Sequence, residues 1–230
     1  MGIYIEALIL YILLFFSGAA AIFTNTGATE FSIAAELIKI LMYYIPSLGL
    51  IWYLIYRAKE LEIAVAGEVL NLKTSFYRIE QLKFKLGKND LISALIALPC
   101  LLITGFIITW ISSVIGNTGQ VTLYSPTSIT QWIILCLSCI ISAYLEESYF
   151  RFYLLSKRKE MNLNIPGILI LSVLLFSVCH IYGGLWSFIN AAICGTFLCL
   201  VFLKYNSIHG IAIAHGLYNI SAFVLYAATN

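Results

Sequence analysis

The chain has 230 residues, 61% of them hydrophobic and only 10% charged, with a mean hydropathy of +0.95. A soluble domain carries about a quarter charged residues, so this composition excludes one and points to an integral membrane protein. The formal net charge of +2 gives no basis for nucleic-acid binding, and apolar runs that are continuous rather than alternating disfavour a β-barrel.

Ile3 to Phe23 is long enough to span a bilayer, at roughly 20 residues per span. It lacks a basic leader and carries Glu6, which reads as a retained helix rather than a signal peptide. Thr24 to Phe31 is a polar turn, and Leu37 to Tyr56 is the second span, where Pro46 predicts a kink. Arg57 to Asp90 is the one long polar segment and holds seven of the thirteen basic residues. Leu61, Val65, Val69, Leu72 and Phe76 recur there at helical spacing, predicting an amphipathic helix on the cytoplasmic surface.

Leu91 to Ile115 is the third span, followed by the uncharged loop Gly116 to Gln131. The fourth span starts at Trp132. Ile165 to Ile181, Leu185 to Leu203 and Ile208 to Ala227 complete an all-α, polytopic bundle of seven membrane helices, eight if the Arg57–Asp90 segment inserts. With the N-terminus inside, eleven of the thirteen basic residues face the cytoplasm, the exceptions being Lys39 and Arg151. All six cysteines sit in apolar surroundings, and the C-x-x-C of Cys136 and Cys139 reads as two small core residues.

The fourth span ends on Glu146-Glu147, with Arg151 beyond. An ionised group at the centre of a bilayer helix costs about 2.5–3.5 kcal/mol on insertion scales, so such residues tend to be functional. Helical neighbours differ by about 100°, so the two carboxylates point apart, and Glu147 shares a face with Arg151 one turn later. Glu146 is left without a local cation, either as a candidate acid or base or as part of a helix-packing ion cluster at the interface. His180 and His215 also fall in apolar runs. Phe176 precedes His180 by one turn on one helix face, and Asn219 follows His215 by one turn. His209 lies on another face near the membrane surface and reads as structural.

Glu146-Glu147-x-x-x-Arg151, Phe176-x-x-x-His180 and His215-x-x-x-Asn219, complete and in order, resemble the three-motif signature of the CPBP intramembrane proteases. These are the CAAX-prenyl-protease and bacteriocin-processing (Abi) proteins. The resemblance covers roughly residues 85–227, making 1–230 a single protease domain whose first 84 residues are variable helices and the cytoplasmic amphipathic segment. It implies that Glu146 and His180 activate a water, that His215 and Asn219 stabilise the oxyanion, and that Glu147, Arg151 and Phe176 support them. The substrate so implied is a membrane-associated peptide, either prenylated or bacteriocin-like. Glu146, His180 and His215 are the ligand set if a metal is used; zinc and a metal-free glutamate mechanism both stay open. The resemblance also implies a multi-pass protein of a plasma membrane, read here as bacterial. A non-catalytic immunity protein or scaffold is the competing class. A transporter predicts internal repeats that are absent, and bis-histidine haem ligation leaves Glu146 and Asn219 unexplained.

Overall fold

The computed structural model describes residues 2–25, 31–57, 61–63, 75–77, 86–115 and 125–229. Seven helices account for nearly all of these. Helix α1 runs Gly2–Asn25. Helix α2 is continuous through Ile33–Lys39, a π turn at Ile40–Tyr44, and Ile45–Arg57. Helix α3 is Lys88–Ile115. Helix α4 runs through Ile129–Glu147, a π segment at Ser148–Tyr153, and Leu154–Ser156. Helices α5, α6 and α7 are Ile165–Val178, Leu185–Tyr205 and Ile208–Thr229. Five of them (α2, α3, α4, α6 and α7) are long and apolar enough to cross a membrane. The chain is a multi-pass helical membrane protein.

The sequence signals at the helix ends act locally. Ser128 caps α4 by accepting from Gln131 N–H, and Asn164 caps α5 by accepting from Gly167 N–H, with Pro166 in the first turn. The turn before Pro46 widens, so that Ile45 N–H bonds the Ile40 carbonyl five residues back.

Two sequence expectations need correcting. The amphipathic helix over Arg57–Asp90 is not formed where the segment is described: Leu61–Ile63 and Ser75–Tyr77 are strands β1 and β2, paired antiparallel. Short β-branched and aromatic stretches pair there in place of a helix. The rest of that segment, and most of the Gly116–Gln131 loop, lie outside the described residues. The fifth span stops at Val178, short of Ile181, and its 14 residues measure only about 21 Å. As a result His180 stands just past the helix end rather than on its face.

Inside a bilayer, helices associate through close packing and hydrogen bonds, since lipid is as apolar as leucine. Helix α7 packs along α4 and α3, and α6 along α3 and α5. A Cβ on Gly216 would fall 2.6 Å from Ile140 Cδ1 and 3.0 Å from Ile140 Cα, so α7 meets α4 backbone to backbone just beside His215. Around the π segment, Tyr149, Phe150, Phe152 and Tyr153 are all buried. The other helices grip this segment through polar contacts. Tyr153 Oη donates to Glu6 at 2.7 Å, Tyr149 Oη donates to the Ala7 carbonyl at 2.8 Å, and Trp52 Nε1 donates to Ser148 Oγ at 2.9 Å. Ser172 Oγ on α5 donates to the Phe150 carbonyl at 2.7 Å.

Gly216→Ala drives a methyl group into the Ile140 backbone and is expected to cost about 1–3 kcal/mol by overpacking. A lowered midpoint in thermal unfolding of the detergent-solubilised protein checks it.

Candidate active site

The two carboxylates at the end of α4 diverge and meet different surroundings. Glu147 is fully buried, and its Oε1 accepts from Arg151 Nη1 at 3.0 Å. The same oxygen lies 2.8 Å from His215 Nδ1. With an ionised carboxylate as acceptor, that ring nitrogen is the donor. Glu146 is a quarter exposed, and its Oε2 lies 3.9 Å from His215 Nε2. The imidazole therefore stands between the carboxylates, with one ring nitrogen toward each. Oε2 of Glu146 is buried and makes no hydrogen bond among the described residues.

Arg151 is the largest fully buried side chain described. Beyond Glu147, its Nη2 donates to the Gly195 carbonyl on α6 at 3.2 Å, and its guanidinium lies 4.3 Å from the Phe176 ring centroid. A Cβ on Gly195 would sit 2.9 Å from Phe176 Cδ1 and 3.1 Å from Arg151 Nη2, so a glycine is needed for both groups to reach α6. The Phe176 ring in turn touches both histidines, with centroids 4.7 Å from His180 and 5.8 Å from His215. The order outward is thus Arg151, then Phe176, then the two imidazoles.

His180 lies beyond the end of α5, half-buried. Its Nδ1 lies 2.8 Å from the Phe176 carbonyl, so the side chain folds back over one of the last helical carbonyls and turns Nε2 away from it. Glu146, Glu147, Arg151, Phe176, His180 and His215 thus form one connected set. Asn219 is half-buried one turn after His215, and no hydrogen bond or ion pair among the described residues ties it to the rest. His209 is buried at the start of α7, with Nδ1 3.1 Å from Tyr144 Oη, apart from the set.

The Glu147–His215 contact was not legible from spacing, since the residues are 68 positions apart. The role of Gly195 was not legible either, although its place in a small-residue stretch of α6 was the available signal. Among the described residues no three His, Cys, Asp or Glu side chains are grouped so as to hold a metal ion. Glu146, His180 and His215 therefore do not form a ready cradle for zinc.

An intramembrane histidine is thus held by one buried carboxylate and faced by a second that is a quarter exposed, on a multi-pass helical scaffold. Residues 128–221, which carry all three motifs, match the Rce1-like family, described as type II CAAX prenyl endopeptidase Rce1-like. The match covers less than half of the chain and makes this segment similar to the CPBP/CAAX proteases. No curated protein and no solved structure matches the chain.

Arg151→Met would strand the Glu147 charge in a dry interior, and removing one partner of a buried pair costs about 3–5 kcal/mol. The double variant Arg151→Met/Glu147→Gln should recover part of that loss, because it leaves no unpaired charge. Unfolding midpoints of the two single variants and the double one measure the coupling.

Proposed function

We propose that the chain is an intramembrane endopeptidase of CAAX type, hydrolysing a peptide bond near the C-terminus of a prenylated, membrane-anchored substrate. The observation that carries this reading is Glu146 Oε2, buried, without a hydrogen bond among the described residues, and 3.9 Å from His215 Nε2. An oxygen about 2.8 Å from each fits that gap, at ordinary hydrogen-bond lengths.

In the proposed reaction Glu146 accepts a proton from water as the water oxygen attacks the scissile carbonyl carbon. The carbonyl π electrons pass to oxygen. His215, doubly protonated, keeps its Nδ1–H on Glu147 and offers Nε2–H to the developing oxyanion, with the Asn219 amide as second donor. Such donors are worth most in a water-poor site and need no reorganisation when held in place beforehand. Collapse of the tetrahedral intermediate breaks the C–N bond, and the proton held by Glu146 passes to the leaving nitrogen. The products are a carboxylic acid and an amine. His180, turned by its bond to the Phe176 carbonyl, shares the positioning of the water. Glu147 and Arg151 act through His215 and Phe176 as positioning residues.

The test is cleavage of a farnesylated C-terminal peptide by the purified, detergent-solubilised protein, followed by mass spectrometry. Glu146→Gln should lower turnover by about 10²–10⁴-fold, the span typical of a lost general base, with its unfolding midpoint close to the parent's. Turnover by Glu146→Gln at the parent rate would sink the mechanism.

A further inference from the structure

Helices α6 and α7 are joined by the short turn at 206–207, and both then pack along α3. They meet each other far less than either meets α3. A side-chain bridge nevertheless crosses between them, well away from that turn. Asn190 Nδ2 on α6 donates to Tyr218 Oη on α7 at 2.9 Å. Asn190 stands 15 residues before the end of α6 and Tyr218 10 residues into α7, about 22 Å and about 15 Å from the turn. The bridge therefore fixes the pose of α7 where the turn no longer does.

Both ends of the bridge are themselves held. A Cβ on Gly105 of α3 would fall 2.7 Å from Tyr218 Oη and 3.0 Å from its Cε2, so the phenol lies directly across the α3 backbone. Only a residue without a side chain leaves it that path. On α6, Cys194 Sγ donates to Asn190 Oδ1 at 3.7 Å, which holds the amide with Nδ2 toward α7. Gly195, the next residue, gives its carbonyl to Arg151. Helix α6 thus holds the centre twice, through Arg151 to Glu147 on α4 and through Asn190 to α7.

What the second hold controls follows from position on α7. Around the helix axis Tyr218 lies about 60° to one side of His215, and Asn219 about 40° to the other. His215 is already fixed by Glu147. Asn219 makes no hydrogen bond among the described residues, so the direction of its amide follows the rotation of α7. A misplacement of about 1 Å in a reacting geometry costs on the order of 10²-fold in rate.

We propose that Asn190 and Tyr218 are positioning residues of the centre, which fix the rotation of α7 and so aim the Asn219 amide at the oxyanion beside His215. This deepens the protease reading above and rests on it.

The test follows cleavage of the farnesylated peptide by the full chain in detergent. Tyr218→Phe keeps the ring on Gly105 and removes only the acceptor, whereas Asn190→Leu keeps the bulk and removes the donor. Each should lower kcat about tenfold with KM close to the parent's, less than the about 10²–10³-fold that loss of an oxyanion donor itself costs. Combined with Asn219→Ala, neither should lower kcat further, because the group they aim is gone. Parent kcat in both variants overturns the proposal. So does a loss that persists in full in the Asn219→Ala background, which marks a general effect on packing. A second measurement does not depend on turnover. In Asn219→Cys, the rate of maleimide labelling at position 219, read by mass spectrometry of its peptide, should change severalfold when Asn190→Leu is added. An unchanged rate overturns the hold of α6 on α7. A folded parent that cleaves nothing sinks the protease reading instead, and the labelling rate then decides whether Asn190 sets the pose of α7.

Discussion

Everything at the centre of this protein depends on one buried oxygen, Oε1 of Glu147, which is shared between Arg151 and His215. A carboxylate fully removed from water must be compensated, and here the compensation does two jobs. The arginine cancels the charge and carries the tie onward to α6 and Phe176. The imidazole uses the same oxygen to fix its ring plane, which leaves Nε2 directed at Glu146. Without Glu147 the histidine would have no reason to face the second carboxylate, and Arg151 would be an unmatched cation under an aromatic ring.

That arrangement needs a helix that turns out of register just where it is loaded. The π segment Ser148–Tyr153 follows the glutamates immediately, and its extra residue per turn shifts four large aromatic side chains into the core around Arg151. The widened turn is held from three sides, by α1 through Glu6 and the Ala7 carbonyl, by α2 through Trp52, and by α5 through Ser172. Helices α1 and α2 are therefore part of the frame of the centre, although the family match begins only at residue 128.

How much of this was legible follows from what a sequence can encode locally. The helical membrane class came from composition, and Glu147 with Arg151 came from a one-turn spacing that any α-helix enforces. The pairing of Glu147 with His215 joins two helices and has no local signature. The π segment was hidden because Ser-Tyr-Phe-Arg-Phe-Tyr is equally compatible with a regular turn. The start of α2 escaped notice for a different reason. Placing the second span at Leu37 to Tyr56 left Glu36 just outside it, whereas α2 begins at Ile33 and includes it. Over Arg57–Asp90 the five apolar positions fit a helical period, yet strand pairing claims Leu61 and Phe76. Period alone does not decide between states for short, weakly apolar stretches.

The shortness of α5 has a consequence for the lipid. A helix of about 21 Å beside neighbours that match a hydrocarbon core of about 30 Å creates a hydrophobic mismatch on one flank of the bundle. Lipid must thin there by tilting or shortening its chains, or headgroups must follow the helix end inward. Ile181, Tyr182 and Leu185 at that end are exposed and apolar, with the Tyr182 hydroxyl suited to a headgroup boundary. Thinning of the lipid at that end would shorten the path by which solvent reaches His180, just past the end of α5.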